Sequence, residues 1–509
     1  MLCVDGPLTK KTGLDGVLVF CLVLVFLGQG FDLGRRIVWT AWDSHYTAER
    51  SRQVGVSGDL LDIRQNGYSD QAKPPLHYGL TAMALGWIPD PESALIFWPL
   101  VFGAAVLLLS WVLARQVMPG NRTAAWLAVV LLASHFVFLH SSSTALLDTG
   151  MTAFLLLTVV GYEGARRYPL YWWLVWLGIA LGFVHKLPLG LLYLALAVGV
   201  ERFCGREIPR RGPHFVWARL LGVGLALAWL LYQVLRHGLP FLRYFYSTQM
   251  VERIISEKPD RWQSFCLTVW HFFQSGPLLV VLPLAALVYW GWQRGRAAGR
   301  DLSATALWAF GCSVFVLVFL PGMDRYLLAA MPFLAVHAAG FWADLSPRFR
   351  LSRVLWVGLV VVLALGYAGV CRQAFLEAPP EKNRSIRMHS ESSADLGRAV
   401  RRLRTADWPV VVLGAGQLPS YCVSALAFHT ASPDPLHFWE VDGQGRHLTE
   451  IPGSLLEPGR EVLLVDIGGS GGPGGPAGFE SIELLQAIGP DRIFRAKLGR
   501  TVPYRMFHF

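Results

Sequence analysis

The run from Trp42 to Leu80, WDSHYTAERSRQVGVSGDLLDIRQNGYSDQAKPPLHYGL, carries carboxylates and cations between two apolar stretches, and it is longer than a hairpin between membrane helices requires. Such a segment is expected to hold a site, here with Asp43, Glu49, Asp59 and Lys73 beside the lipid surface. Asp43 follows the first apolar stretch closely, where a partly desolvated carboxylate is suited to act as a base; an ordinary solvated acid is the plainer alternative. Lys73 precedes Pro74 and Pro75, which cannot stand deep inside a helix, so the lysine is fixed where the chain turns back and is suited to hold an anion.

Further charges stand where charge is costly. Asp148 and Lys186 lie at the ends of apolar runs, where an uncompensated charge costs about 2.5–3.5 kcal/mol on insertion scales. Each therefore needs a partner or a function, and mutual pairing and direct catalysis are both open. The aromatic and basic run Phe241 to Trp262, FLRYFYSTQMVERIISEKPDRW, has the character of a helix lying in the membrane interface, with Arg243 and Arg253 as anion-binding candidates. Arg325 with Tyr326 offers a fork of donors beside a phenol, which suits a phosphate; a snorkelling arginine is the simpler reading.

The elements that must position these residues are membrane helices. With 53% hydrophobic residues, 16% charged residues and 20 Trp, at a mean hydropathy of +0.41, the chain is too apolar for a soluble globule. Stretches able to cross about 30 Å of hydrocarbon begin with Leu14 to Leu33, read as a retained anchor because no small-residue cleavage site follows it. They continue as 93–114, 123–139, 145–162, 171–184, 187–200 and 216–235, then 265–292, 302–320, 326–343 and 354–371. That makes about eleven spans. Lys10/Lys11, Arg115/Arg122, Arg166/Arg167, Arg202 to Arg211, Arg294 to Arg300 and Arg348 to Arg353 then fall in alternate loops. The positive-inside rule places the N-terminus in the cytoplasm and everything after Cys371, with the loop of about 35–92, on the outer side. The net charge of +10 is largely this topogenic arginine and calls for no nucleic-acid partner.

After Cys371 charges become frequent, and the apolar runs after Pro409 (VVVLGA) and Glu461 (VLLVDI) alternate with helix-like pieces such as Ser393 to Leu403. The expectation is a transmembrane domain over 1–371 and an α/β domain over 372–509, interrupted by a flexible Gly/Pro tract from Gly468. The Gly414-Ala415-Gly416 turn lacks a third glycine and does not make a nucleotide site. The seven cysteines show no CxxC pair or regular spacing, so neither zinc nor a disulfide framework is expected, and Cys371 and Cys422 read as two buried thiols.

The ordered series Asp43-x-x-Tyr46-x-Ala48, Ser57-Gly58-Asp59, Asn66-Gly67, Lys73-Pro74-Pro75-Leu76-His77-Tyr78, Ala145-Leu146-Leu147-Asp148-Thr149, Phe241-Leu242-Arg243-x-Phe245 with Val251-Glu252-Arg253, and Arg325-Tyr326-Leu327 resembles the protein mannosyltransferase superfamily. Within it, the series is most similar to the bacterial lipid A aminoarabinose transferase branch, over residues 15–345 or so. The resemblance implies a GT-C fold and an inverting glycosyltransferase that takes a sugar from a polyprenyl phosphate and transfers it to a lipid, glycan or protein acceptor on the outer face of a bacterial inner membrane. It implies Asp43 as the catalytic base, Lys73, Arg253, Arg325 and Tyr326 around the lipid phosphate, and Tyr46, Asp148, Lys186 and Arg243 in support. The family commonly has Glu at the positions of Ser44 and Ala72, and a His in the later loop where this chain has Gln249-Met250. A metal site made from that Glu and His does not carry over, so no cofactor is expected and a divalent cation is not required. A flippase or transporter that binds polyprenyl lipid is the competing class; the absence of paired repeats and the gathering of polar residues on one face speak against it.

Overall fold

The computed structural model describes residues 12–65, 68–70, 73–119, 121–186, 199, 209, 212–247, 261–292, 324–345, 353–378, 381–404, 408–413, 420–431, 436–439, 448–456, 461–467, 479–488, 491–498 and 502–507. These form two compact units. A helical unit comprises Met1–Val38, Gln71–Leu80 and Asp90–Pro379, and a C-terminal unit comprises Trp39–Asp70, Thr81–Pro89 and Pro380–Phe509.

The helical unit begins with α1 (Thr12–Ile37) and, after the segments assigned to the other unit, continues with α4 (Pro91–Val117), α5 (Arg122–Ala133), α6 (Phe136–Ser142), α7 (Asp148–Ala165) and α8 (Trp172–His185). It goes on with α9 (Pro213–His237), α10 (Leu239–Tyr246), α11 (Arg261–Ser275), α12 (Leu278–Trp292), α13 (Met331–Leu345) and α14 (Arg353–Glu377). Helix α3 (Leu76–Trp87) is shared between the units. Among the described residues three helices are long and apolar enough to cross a membrane, or five if each of two bent pairs is one span.

Both bends depart from the sequence expectation. Residues 123–139 read as one straight span, but the chain turns by 70° between α5 and α6; residues 265–292 likewise turn by 101° between α11 and α12. The second bend has a local cause in Gly276-Pro277, where proline supplies no N–H to continue the hydrogen-bond ladder. At the first, the Ser134 N–H still bonds the Val130 carbonyl at 2.9 Å, and His135 takes extended backbone. The two breaks meet. The His135 ring packs on Phe272 with centroids 4.6 Å apart, and a Cβ on Gly276 would fall 2.3 Å from His135 Cδ2. The expected span 326–343 is also irregular, starting as a 3-10 turn over Asp324–Ala329 before α13.

Small residues let the remaining helices close on one another, as membrane packing favours. A Cβ on Gly34 would lie 2.7 Å from Ile96 Cδ1 and 2.8 Å from the Ser143 carbonyl oxygen, so α1 meets α4 and the end of α6 almost backbone to backbone. Asp32 of α1 accepts from Arg36 at 3.0 Å and is also bonded by Arg372 of α14. The expected spans 187–200 and 302–320 lie outside the described residues.

The C-terminal unit begins with α2 (Trp42–Ser57) and a two-residue hairpin, β1 (Arg64–Gln65) with β2 (Tyr68–Ser69). After α15 (Glu381–Leu403), which is longer than the piece 393–403 read from sequence, come β3 (Val410–Leu413), α16 (Ser420–Thr430), β4 (His437–Trp439), β5 (Leu448–Leu456), β6 (Glu461–Asp466), β7 (Phe479–Ile488), β8 (Asp491–Leu498) and β9 (Val502–Phe507). Five strands form a mixed sheet in the order β4-β3-β6-β8-β7, with β4, β3 and β6 parallel, while β5 and β9 pair separately. Val462 to Val465 are all buried, as expected of a strand covered on both faces. Val410, Val412, Leu463 and Val465 pack with Leu396 and Val400 of α15 and Val423 and Leu426 of α16 in one core. The described cysteines are free; Cys422 is buried, but Cys371, read as buried, is half-exposed on α14.

Candidate functional site

Asp148 opens α7, where the unpaired N–H groups of the first turn favour a negative charge. Lys186 closes α8, its own N–H bonded to the Gly182 carbonyl at 3.1 Å, and its ammonium donates to Asp148 Oδ1. Arg325 arrives from the 3-10 turn, with Nε 3.8 Å from Asp148 Oδ2. Tyr326 completes the group. Its ring lies 4.7 Å from Lys186 Nζ and 5.5 Å from the Arg325 guanidinium carbon. The Asp148 side chain is only 4% exposed, against 13% for Lys186 and 18% for Arg325, so the carboxylate is the sealed member and the cations reach outward. One negative and two positive charges leave this set with one positive charge over, which suits it to receive an anion.

Side chains behind the cluster hold it in shape. His185 Nε2 lies 3.0 Å from the Leu147 carbonyl oxygen, and the ring packs edge-on against Phe102, Phe154 and His77. Gly150 leaves room for that ring, since a Cβ there would fall 2.4 Å from His185 Nε2. Lys73 is half-buried at the bend before α3; Pro74 and Pro75 behind it are buried, and the Gly79 N–H closes the first turn on the Pro75 carbonyl at 3.0 Å. The lysine is thus fixed at a turn, as the diproline demands.

In the C-terminal unit Asp43 stands half-buried in the first turn of α2. Tyr46, one turn on, lies under the Arg50 guanidinium at 5.3 Å, and Arg50 pairs with Asp70 at 2.5 Å. Two acids expected in the site hold local structure. Glu49 is fully buried and accepts from Arg52 at 2.8 and 2.9 Å and from Gln53 at 2.9 Å. Asp59 Oδ1 accepts the Leu61 and Asp62 N–H groups, each at 3.1 Å, an Asx turn that redirects the chain after α2. Helix α2 is docked on α16. Trp39 stacks on His45 at 5.1 Å and meets His429 at 5.3 Å, and Gln65 donates to Ser424 Oγ at 3.0 Å. Burial holds His45 down at about 4; burial, followed by the Arg398 charge and His45, holds His429 down at about 3.

Of the residues singled out from sequence, Asp148, Lys186, Arg325 and Tyr326 are therefore brought together in the helical unit, which also holds Lys73. Arg243 is exposed on α10, a helix seated by Phe241 and Phe245 against Trp229. The expected interfacial helix is seen only as that short α10, and Arg253 lies outside the described residues. His77, although it stands in the motif series, and His185 have no role assigned from sequence. Their signal was two imidazoles close to Lys73 and Lys186 in otherwise apolar company. Among the described residues no group of three or more His, Cys, Asp or Glu could hold a metal ion.

The family model of the dolichyl-phosphate-mannose-protein mannosyltransferases matches residues 17–201. An uncharacterized protein of Aquifex aeolicus is 26% identical over 358 residues, covering 68% of this chain and 68% of its own. The undecaprenyl phosphate-alpha-4-amino-4-deoxy-L-arabinose arabinosyl transferase of Edwardsiella ictaluri is 24% identical over 377 residues, covering 70% of this chain. The corresponding transferase 1 of Sodalis glossinidius is 25% identical over 347 residues, covering 66% of this chain. These matches span 64% and 60% of the two transferases' own lengths. The crystal structure of ArnT from Cupriavidus metallidurans bound to undecaprenyl phosphate shares the fold with a TM-score of 0.68 at 17% identity, over 94% of this chain and 97% of that one. An Archaeoglobus fulgidus oligosaccharyltransferase is more distant, with a TM-score of 0.50 at 11% identity over 82% of this chain and 63% of its own. The chain thus has the fold of ArnT, and its residues 17–201 resemble the dolichyl-phosphate-mannose-protein mannosyltransferases in sequence.

Proposed function

We propose that this protein is an integral membrane glycosyltransferase that moves a sugar from a polyprenyl-phosphate donor to a hydroxyl of a lipid, glycan or protein acceptor. The observation that carries the reading is the cluster of Lys186, Arg325 and Tyr326 around the single buried carboxylate of Asp148, a preformed site with positive charge to spare. Undecaprenyl phosphate is the favoured carrier, because it appears in the names of the two arabinosyl transferases and in the ArnT complex.

In this reaction the acceptor oxygen attacks the anomeric carbon as the bond from that carbon to the phosphate oxygen breaks, with inversion. Asp43 takes the acceptor proton, and the electron pair leaves with the polyprenyl phosphate. Lys73, Arg253, Arg325 and Tyr326 receive the charge that develops on that phosphate, which is where fixed cations lower a barrier most. Asp148 holds Lys186 and Arg325 in place, while Tyr46 and Arg243 support from α2 and α10. The leaving group is a monophosphate, so these cations suffice without a divalent metal. The protein works in a bacterial inner membrane with its N-terminus in the cytoplasm and residues after Cys371 in the periplasm.

The test is turnover of purified protein in detergent with radiolabelled polyprenyl-phosphate sugars and a membrane-extract acceptor mixture, for the wild type, Asp43→Asn and Lys73→Ala. Expected is transfer that resists chelators, falls by about 10²-fold or more in Asp43→Asn, and shows a raised donor KM in Lys73→Ala. An Asp43→Asn variant of full activity removes the base, and a wild type that binds donor without consuming it favours a lipid-binding or transport protein.

A further inference from the structure

His185 is fully buried, and its Nε2 lies 3.0 Å from the Leu147 carbonyl oxygen. A carbonyl only accepts, so this nitrogen carries the proton. Leu147 immediately precedes Asp148, and His185 immediately precedes Lys186. One hydrogen bond therefore joins the two backbone positions from which the buried ion pair is built. The ring has little freedom to move, with Phe102 and Phe154 at 5.4 Å and the bare backbone of Gly150 against it. Its remaining neighbour is His77, also fully buried, whose ring meets it at 5.2 Å and 86°. His77 sits on the first turn of α3, directly behind the Lys73-Pro74-Pro75 bend.

We infer that His185 is a positioning residue for the phosphate of the donor lipid: it seats the Lys186 ammonium on Asp148 through the Leu147 carbonyl and, through His77, fixes the register of the Lys73 turn. Two cations that sequence treats as separate are thereby set by one imidazole. This role rests on the transferase reading, and it adds to it a residue that touches neither donor nor acceptor.

The test is binding of undecaprenyl phosphate to the purified full-length protein in detergent, followed by native mass spectrometry, with donor KM and kcat measured alongside. His185→Phe keeps the ring volume and removes the donor; it should fold, bind undecaprenyl phosphate roughly tenfold more weakly and raise donor KM while leaving acceptor KM unchanged. His185→Gln, which returns an amide N–H to the Nε2 position, should bind within about threefold of wild type. A merely structural histidine would shift donor and acceptor constants together. Equal binding by His185→Phe and wild type overturns the positioning role alone, as does a Gln variant as weak as the Phe variant. A wild type that neither binds undecaprenyl phosphate nor turns over any polyprenyl-phosphate sugar ends the transferase reading and this role with it. If His185→Phe fails to fold, His77→Ala is measured in its place; weakened binding restored by His77→Phe supports the role, and unchanged binding overturns it.

Discussion

Asp148 has two cationic partners and almost no exposure, so removing its charge costs more than removing either partner's. Asp148→Asn strands Lys186 and Arg325 beside each other in a poorly hydrated setting. The expected loss is about 3–5 kcal/mol, seen as a lower melting temperature in detergent. Lys186→Met, which leaves Arg325 to neutralise the carboxylate, should lose clearly less; an equal loss would show that Arg325 contributes nothing. Sequence reading found Asp148 and Lys186 because the cost of charge in an apolar run is a local property, and it named their pairing as one of two outcomes. It could not find that Arg325 joins them. That depends on where a turn far along the chain returns, which neither hydropathy nor spacing records. The local bonding of Glu49 and Asp59 was hidden for the opposite reason. Their partners, Arg52, Gln53 and the N–H groups of Leu61 and Asp62, are near in sequence, but only the helical and turn geometry shows that they consume the carboxylates.

At the scale of elements, the approach of α7 to α8 is set by what Gly150 lacks. Gly150→Ala pushes a methyl into the His185 ring and should cost about 1–3 kcal/mol and weaken donor binding with it. Gly55→Ala, on α2 with open space around it, serves as the control and should not destabilise, since alanine is the better helix former. Most elements were legible. The apolar lengths anticipate α1, α4 and α14, and the β-branched runs anticipate β3 and β6. What hydropathy averaged away were the breaks. Residues 123–139 and 265–292 are apolar throughout, yet they bend by 70° and 101°, and only Gly276-Pro277 offered a visible cause. Helix α2 was hidden because its mixed polar sequence has no apolar stripe; its order comes from docking against α16.

For the molecule as a whole, that docking makes stability depend on pH. His45 and His429 flank Trp39, and His429 also faces Arg398 and Asp395 of α15; folded, the two bind protons only near about 4 and about 3, whereas unfolded they do so near the ordinary value of 6.5. Between those limits the unfolded chain holds more protons, so stability falls as pH drops below 6.5, by up to about 1.4 kcal/mol per pH unit per histidine. The loss levels off once the folded values are passed. Hydrogen exchange of α2 and α16 in the full-length protein, corrected for intrinsic rates, should show protection decreasing together from pH 7 to 5, and His429→Phe should remove part of that slope.

The partnership of α2 with α16 also sets an order of events during synthesis. The helix that presents Asp43 leaves the ribosome well before the surface that seats it, which is made some hundreds of residues later. The candidate base thus waits through insertion of the helical unit without its support, and loop closure over so long a separation is slow. A chain stopped before α15 keeps Asp43, Lys73, Asp148, Lys186 and Arg325 and should still be inactive. Helix α2 therefore gains its seat only once α16 has been made, so the setting of Asp43 is one of the later features of the fold to form.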